Sequence, residues 1–410
     1  MNINKIKTIA ALACTATLAT AFLLLYCRTF YDFSNLAKER ILISPLYAFF
    51  TTPILFWVSA YLCRRFSLAA SGNNMGNIES AVNEIDKSNN HQKASFFLGF
   101  KTISICALSS LVSTFGAGSL GHEGPSVQIS AGIFFNAANK IKNFLPKISL
   151  ENWIYVGAGI GLAVAFGAPF AGLICVCEKS FKVGSKKILS NFFWTIPAIL
   201  IFALITPKSS SIFCSETANL IYRPKEIALI FLLVIFCGAI AILFKKISSH
   251  FYRKFVAIKS PKWHLVPIIS GLIVSIIASH YGPNSIGSGL TMINSALANT
   301  DASLSYEEVI ARIITTILTF ISGSAGGFVA PSIAVGAGIG SVVGQILSSI
   351  DPKIFILSGM AAFLSATIGM PITAAMIIFE TTSQTFFIFP LLLSSSLIAF
   401  CCTKIFIKRA

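Results

Sequence analysis

Charged side chains are scarce in this chain of 410 residues. Only 11% of its residues are Asp, Glu, Lys or Arg, whereas soluble domains contain about 25%. Hydrophobic residues make up 55%, and the mean hydropathy is +0.79. A water-soluble core cannot bury so much apolar surface, and in lipid a helix satisfies its own backbone hydrogen bonds. The sequence therefore predicts an all-α integral membrane protein.

Motifs for catalysis and for metal binding are also missing. The chain has no His-Glu-x-x-His or Gly-x-Ser-x-Gly sequence, and its five histidines are scattered. Cys175-Val-Cys177 lies in an apolar segment and has no second cysteine pair at zinc spacing. We therefore expect neither an enzyme nor a bound cofactor or metal. The basic residues flank apolar segments, so nucleic-acid binding is not expected either.

Eleven apolar segments are candidates for membrane spans, since a spanning helix needs about 20 apolar residues. Several are short or interrupted by Gly and Pro, which favours a helical bundle with some partial spans. The first segment is interpreted as a retained span, because Cys27-Arg28 is a poor signal-peptide cleavage site. The segments are 8–26, 43–62, 95–115, 153–177, 189–206, 226–244, 264–279, 309–322, 333–349, 354–379 and 386–407.

Basic residues outnumber acidic residues by 31 to 15, and the formal net charge is +16. They cluster beside the apolar segments, and cytoplasmic loops of membrane proteins are enriched in Lys and Arg. This pattern predicts a multi-pass protein with both termini in the cytoplasm. The expected location is a bacterial inner (plasma) membrane, which the charge pattern does not itself specify. An additional interpretation is that the positive charge draws anions toward a pathway.

The chain repeats itself. Residues 118–126 resemble residues 323–332, and residues 166–170 resemble 368–372. Glu178 corresponds to Glu380, and residues 72–75 resemble 287–290 more weakly. The offsets are 206, 202, 202 and 215 residues for Pro125, Pro169, Glu178 and Gly72. Such duplication is typical of transporters with a binding site between the repeats. The predicted divisions are an N-terminal helix and loop (1–42), a first repeat (43–206), a polar connection (207–226), a second repeat (227–407) and a basic tail (408–410).

Residues 72–92 form a second polar stretch. They are too polar to span a membrane and too few for a domain. Two interpretations remain open, a plain cytoplasmic loop or a loop that dips toward the pore. The place of this stretch in the repeat favours the second.

Two glycine- and proline-rich runs, 121–126 and 326–332, are each followed by a helix of small residues. Such a turn exposes backbone N–H groups at the positive end of the helix dipole, where an anion can bind. Glu123 lies in the first run, and an acid in a membrane helix costs about 2.5–3.5 kcal/mol. Its carboxylate could occupy the anion site when the ion leaves, which would make it a gate. The alternative is that Glu123 and the glycine-rich turns serve structure alone.

The run Gly-His-Glu-Gly-Pro-Ser-Val-Gln at 121–128 resembles the Gly-Arg-Glu-Gly-Pro signature of the CLC chloride channels and chloride/proton antiporters. Residues 327–331 resemble their Gly-x-Phe-x-Pro loop, and 72–76 lie where their Gly-Ser-Gly-Ile-Pro loop belongs. The similarity extends from about residue 45 to 400. It implies an inverted-repeat bundle of tilted, partly re-entrant helices and a homodimer in which each subunit holds its own anion path.

The resemblance implies Glu123 as the gate and an anion site formed by Asn73, Gly121, Gly124, Phe328 and Val329. The sequence departs from the family at several of these positions. His122 replaces the signature arginine, Asn73 replaces the central-site serine, and Val329 aligns with the loop phenylalanine, with Phe328 one place early.

Further departures concern proton coupling. Lys179 occupies the position of the internal glutamate that relays protons in the antiporters, and Glu178 lies beside it on a different helix face. Glu178 and Lys179 are therefore the candidate proton path. The sequence ends at Ala410, so we expect no counterpart here of the family's last helix with its pore-lining tyrosine, and no regulatory domain.

The resemblance and its departures predict transport of chloride or another halide across a lipid bilayer, gated by Glu123, channel-like or weakly coupled to protons. Two alternatives are a chloride/proton antiporter and a fluoride exporter. The Asn-rich first loop resembles the fluoride-exporting branch, whereas Gly124-Pro125 and the second-half loop resemble the chloride branch.

Overall fold

The computed structural model describes residues 3–72, 74–88, 91–141, 149–183, 188–206, 213, 224–298, 304–347 and 351–408. These residues form α-helices and short 3₁₀ turns, and no strand occurs among them. The helices are α1 Ile3–Ile43, α2 Pro45–Phe66, α3 Asn74–Ser88, α4 His91–Leu98, α5 Phe100–Phe115, α6 Glu123–Ile141, α7 Leu150–Phe166, α8 Pro169–Val183, α9 Ile188–Ile205, α10 Pro224–Ala257, α11 Leu265–Tyr281, α12 Leu290–Leu297, α13 Tyr306–Ile321, α14 Val329–Leu347, α15 Pro352–Ile368, α16 Pro371–Thr382 and α17 Phe389–Lys408.

Eight helical segments of the described chain are long and apolar enough to cross a membrane. Large apolar side chains such as Leu204 and Phe387 remain exposed on the outside of the bundle. Water would penalise such a surface, whereas lipid does not. The prediction of an all-α integral membrane protein is confirmed.

Helix α1 is much longer than the predicted first span 8–26. Its 41 residues correspond to about 60 Å, whereas the hydrocarbon core of a bilayer is about 30 Å thick. The helix packs against α5, α6, α7 and α9. It must therefore be tilted or extend beyond the membrane.

Two predicted spans, 153–177 and 354–379, are wrong as continuous helices. The first is divided into α7 and α8, and the second into α15 and α16. The breaks lie at Gly167 and Gly369, with φ angles of 58° and 72°, in the left-handed region that glycine adopts without strain. Pro169 and Pro371 then begin the next helix. Both halves of the chain break at the same place in the repeat.

The polar stretch 72–92 is not a plain loop. Most of it forms α3, which packs against α4, α6 and α7. Ile78, Ala81 and Val82 are fully buried on one face, so three apolar residues at helical spacing anchor an otherwise polar helix. Of the predicted connection 207–226, only Phe213 and 224–226 belong to the described residues.

The centre of the bundle is formed by α6 packed against α7 and by α14 packed against α15. Glycine allows these helices to approach closely. A Cβ at Gly161 would lie 2.6 Å from Cα of Val127, and a Cβ at Gly340 would lie 2.6 Å from Cα of Ile356. Small residues at helix contacts are the usual means of close packing in lipid. This packing holds the N-terminal ends of α6 and α14 in place.

Candidate anion pathway

The two glycine-rich runs meet through a backbone bridge. The N–H of Gly121 donates to the carbonyl of Gly327 at 3.0 Å, and the N–H of Gly327 donates to the carbonyl of Gly121 at 2.9 Å. These residues are 206 positions apart, which is also the offset between the two runs. Each residue of the pair thus contacts its own counterpart, as expected for two repeats related by a twofold rotation.

Helices α6 and α14 begin beside this bridge, at Glu123 and Val329, which are again 206 positions apart. The N–H groups of a first helical turn have no acceptor inside their own helix. A Cβ at Gly124 would lie only 2.9 Å from Cα of Gly327, so glycine is needed for this approach. Two positive helix ends therefore lie close together, as the sequence predicts.

The carboxylate of Glu123 lies at the beginning of the other half's helix. Its side chain is 2% exposed, and Oε2 accepts a hydrogen bond of 3.4 Å from the N–H of Ala330 in the first turn of α14. Oε1 lies 3.4 Å from Nδ1 of His122. The carboxylate thus takes the place at a helix N-terminus that an anion would favour.

A small cavity borders Glu123, with room for about one water molecule. Ser288 from the loop before α12 is part of its lining, as are Tyr31, Phe166, Phe213, Leu290, Ile293 and Ala330. Arg312 of α13 holds this loop, since its guanidinium donates to the carbonyls of Ile286 at 2.6 Å and Gly287 at 2.7 Å. Our sequence analysis did not identify Arg312; its signal is a lone arginine within an apolar helical segment.

A larger cavity of about 130 Å³ borders the same helix ends. Gly124, Phe328 and Val329 line it, whereas Glu123 and Ala330 line the small cavity. The ends of α6 and α14 thus lie between the two spaces. Of the predicted anion-binding residues, these three border the larger cavity, while the N–H of Gly121 is engaged in the bridge.

Three lysines line the larger cavity: Lys179 and Lys182 of α8 and Lys245 of α10. One acid, Glu79 of α3, accompanies them. Lys182 is one of the basic residues beside apolar segments that the sequence analysis attributed to membrane topology. Lys245, which directly follows the apolar segment 226–244, was not identified. This excess of cations gives the cavity a positive potential that favours anions.

Asn73, the predicted central-site residue, lies outside the described residues. Its neighbour Asn74 begins α3, borders the larger cavity and is 2% exposed. Nδ2 of Asn74 donates to Oε1 of Gln128 at 2.6 Å. Gln128 in turn donates to the carbonyls of Ala69 and Phe97, each at 2.9 Å. These bonds fix both amides and leave Oδ1 of Asn74, which has no hydrogen-bond partner in the described part of the chain, directed toward Gly124.

Glu178 and Lys179 have different surroundings despite being adjacent. Nζ of Lys179 donates to the carbonyl of Met75 at 2.9 Å and lies 3.7 Å from Oε1 of Glu79. Glu178 instead accepts hydrogen bonds from the N–H groups of Ile372 at 3.2 Å and Thr373 at 2.8 Å. Glu178 therefore caps α16, whereas Lys179 reaches the cavity.

Glu380 repeats the arrangement of Glu178 in the second half. Its carboxylate accepts from the N–H groups of Phe170 at 3.1 Å and Ala171 at 2.6 Å, at the beginning of α8. Each half thus supplies the acid that caps a helix of the other half. A carboxylate stabilises a helix N-terminus through the unsatisfied N–H groups and the helix dipole.

A family model described as voltage-gated chloride channel matches residues 54–404. The chain belongs to the CLC family. It is 28% identical over 379 residues to the H(+)/Cl(-) exchange transporter ClcA of Yersinia pseudotuberculosis, covering 88% of this chain and 75% of that protein. The ClcA protein of Citrobacter koseri is 27% identical over 376 residues, with 87% and 76% covered.

Solved structures of CLC proteins share the fold. A slow cyanobacterial Cl-/H+ antiporter superposes with a TM-score of 0.81 at 21% identity, covering 99% of this chain and 95% of that chain. A CLC-type fluoride/proton antiporter gives a TM-score of 0.78 at 18% identity, with 98% and 97% covered. The predicted family and fold class are confirmed.

Proposed function

We propose that the protein exchanges chloride for protons across a membrane. The observation that carries this proposal is the Glu123 carboxylate bound to the N–H of Ala330. A carboxylate and a chloride ion compete for the same backbone donors, so an arriving chloride displaces the side chain. A displaced carboxylate in an apolar, buried place is stabilised by taking up a proton. Movement of the two ions is thereby linked through one residue.

The relatives favour exchange over the channel-like interpretation. The curated relatives reported above are named as H(+)/Cl(-) exchange transporters, and the structural neighbours are described as antiporters. The substitution of Lys179 for the internal glutamate led us to expect weak coupling. The comparisons support the antiporter alternative better than that expectation.

The lysines of the larger cavity fit the anion side of this function. Lys182 and Lys245 line the space that ends at Gly124 and Val329. Cavities with charges of one sign raise the local concentration of counter-ions. We propose that this cavity is the entrance of chloride from one side of the membrane.

The predicted proton path through Glu178 and Lys179 remains a proposal. The contacts favour Lys179 with Glu79, because both line the larger cavity and their charged atoms are 3.7 Å apart. Glu178 instead accepts hydrogen bonds from Ile372 and Thr373 in the first turn of α16. We therefore propose Glu79 as the inner carboxylate that exchanges protons with the solvent of the cavity.

The predicted division into repeats, the assembly and the location also remain proposals. We propose a homodimer in a bacterial plasma membrane, with both termini cytoplasmic. Exposed apolar side chains on α8, α9 and α17 and the adjoining turn, such as Phe181, Leu204 and Phe387, offer a surface for a second copy. Cross-linking of cysteines introduced on this surface tests the dimer.

Reconstitution into liposomes tests the proposed function. An outward chloride gradient should drive proton uptake against a pH gradient, recorded with a chloride electrode and a pH electrode. Proton movement that requires chloride supports exchange. Chloride movement with no proton movement would instead establish the channel-like alternative, and an active preparation that moves no chloride would overturn the proposal.

Fluoride is a second candidate substrate. A fluoride/proton antiporter shares the fold over 98% of this chain, and the larger cavity presents Asn74 and Met75 rather than a hydroxyl side chain at the end of the first loop. Fluxes of chloride and fluoride measured in the same liposomes distinguish the two substrates. A fluoride flux that exceeds chloride flux would transfer the proposed mechanism to fluoride.

A further inference from the structure

The imidazole of His122 lies next to the gate and has one unengaged nitrogen. It is 1% exposed, and its Nε2 lies 3.1 Å from the carbonyl oxygen of Ala165 on α7. A carbonyl oxygen can only accept, so Nε2 carries a hydrogen and donates it. Nδ1 then has no hydrogen-bond partner in the described part of the chain. Its nearest charged atom is Oε1 of Glu123, at 3.4 Å.

Packing prevents the ring from turning away. The ring of Phe30 lies 5.1 Å from the imidazole and the ring of Tyr31 lies 4.9 Å away, both on α1. Together with the bond to Ala165, these contacts hold Nδ1 toward the carboxylate. Two lone pairs would repel each other at this distance, whereas one shared proton makes the contact favourable.

The other titratable groups nearby are less suited to exchange a proton with Glu123. Cys27, Tyr26 and Tyr31 come from α1, and α13 contributes Arg312. Tyr26 is engaged with Ser110 at 2.7 Å. The thiol of Cys27 faces the imidazole of His122 itself and lies 3.8 Å from Oγ of Ser126. Arg312 donates to two backbone carbonyls and keeps its proton at all physiological pH values. From α7, the carbonyl of Ala165 bonds to the imidazole.

The second repeat has no equivalent of this pair. Phe328 corresponds to His122 and Val329 corresponds to Glu123, each at an offset of 206 residues. Neither can bind a proton. The titratable pair is therefore a feature of one helix end only, at the position where the carboxylate must change its charge for exchange to occur.

We propose that His122 is the proton-exchange partner of the gating carboxylate. In the transfer, the O–H bond of the protonated Glu123 breaks and an N–H bond forms at Nδ1, which leaves a carboxylate and an imidazolium. The reverse transfer restores the neutral pair. The negative carboxylate binds the N–H of Ala330, and the neutral acid releases it. This inference rests on the proposed exchange of chloride for protons.

His122→Gln separates proton exchange from positioning, because the glutamine amide can still donate to Ala165 but cannot titrate. In liposomes, the number of protons moved per chloride should fall by about tenfold or more. The dependence of chloride flux on pH should become weaker, because the imidazole that titrates beside the gate is gone. His264→Gln is the matched control, since His264 bonds to Trp57 away from the pathway, and should behave as wild type.

A double variant tests whether the two residues act together. In a Glu123→Gln background, His122→Gln should cause no further change in proton coupling. A His122→Gln variant that keeps both the wild-type pH profile and the wild-type proton-to-chloride ratio would overturn the proposal.

A spectroscopic measurement makes the test independent of transport. In protein labelled with ¹⁵N in its imidazole rings, the titration of one of the five histidines should shift when Glu123 is replaced by Gln. Unchanged titration of all five would overturn the pairing even if chloride is transported. A shifted titration in a protein that moves no chloride would support the pairing while rejecting the proposed function.

Discussion

The two repeats place equivalent helix ends side by side but equip them differently. In the first repeat His122 precedes a helix that begins at Glu123, whereas in the second Phe328 precedes a helix that begins at Val329. The carboxylate of the first repeat binds an N–H group of the second. One repeat thus supplies the charged side chain and the other supplies backbone donors. In the proposed function, the repeated helix ends provide the geometry of an anion site, and the divergence at Glu123 provides the gate.

At another pair of equivalent positions both repeats have a glutamate, and the two glutamates make equivalent contacts. Glu178 caps α16 and Glu380 caps α8. Both caps are hydrogen bonds between a carboxylate and first-turn N–H groups. The acids shared by both repeats thus cap helices of the opposite halves, whereas we propose that the acid found at only one of the paired helix ends, Glu123, serves transport.

The largest effect is expected from Glu123→Gln, which removes the charge that distinguishes the first helix end. A glutamine cannot release or take up a proton, so chloride-driven proton movement should fall to the level of protein-free liposomes while chloride still passes. Glu380→Gln is the control and should keep the wild-type proton-to-chloride ratio. Proton coupling that survives Glu123→Gln would contradict the asymmetry between the repeats.

Gly124→Ala should disturb the shared geometry of both helix ends. The new Cβ would lie 2.9 Å from Cα of Gly327, and overpacking of this kind costs about 1–3 kcal/mol. Thermal unfolding in detergent should therefore occur at a lower temperature, and chloride flux should be lost. Gly238→Ala is the matched control, because its Cβ would meet Ala399 at an ordinary 3.6 Å. Equal stability of the two variants would argue against a tight contact at the bridge.

Glu178→Gln and Glu380→Gln compare the two symmetric caps with each other. Each should lower stability by about 0.5–2 kcal/mol, since a neutral amide interacts more weakly with a helix N-terminus. Thermal unfolding of both variants measures this loss. A different outcome would be that Glu178→Gln lowers the proton-to-chloride ratio and leaves stability unchanged, while Glu380→Gln does neither. Glu178 would then belong to the proton path, and the two glutamates would not have equivalent roles.

The smallest effect is expected from Lys245→Met in the larger cavity. Loss of one of several positive charges should reduce chloride flux less than about tenfold, and the reduction should shrink as the salt concentration rises. Flux measured at several chloride concentrations checks both points. Lys254→Met, on the exposed part of the same helix, should leave the flux unchanged. Identical behaviour of the two variants would exclude an electrostatic role for the cavity.

Much of the fold could be predicted because the signals are local. Apolar composition identified the membrane class, and the Gly and Pro positions identified both helix ends and the internal repeat. The spans 153–177 and 354–379 were predicted as continuous, since their apolar residues run on through Gly167 and Gly369. The break depends on two left-handed glycines, and glycine alone does not require that conformation.

The contribution of individual side chains was harder to predict. Lys179 and Glu178 are neighbours in sequence, yet one reaches the cavity and the other caps a helix about 195 residues away. Lys245 at the end of one apolar segment and Arg312 within another were missed because position in the sequence does not reveal what a cation faces. Contacts between distant residues decide these roles.

The sequence by itself determined that the chain lies in lipid, and it predicted the duplication and an acid, Glu123, at the beginning of a helix. Only the tertiary structure decided that this acid binds the other repeat's helix and that His122 directs a free nitrogen toward it. Composition and periodicity are properties of single segments, so they can be recognised from the sequence of each segment alone. The hydrogen bond between Ala330 and Glu123 joins residues 207 positions apart, so its geometry depends on how the two halves of the chain pack.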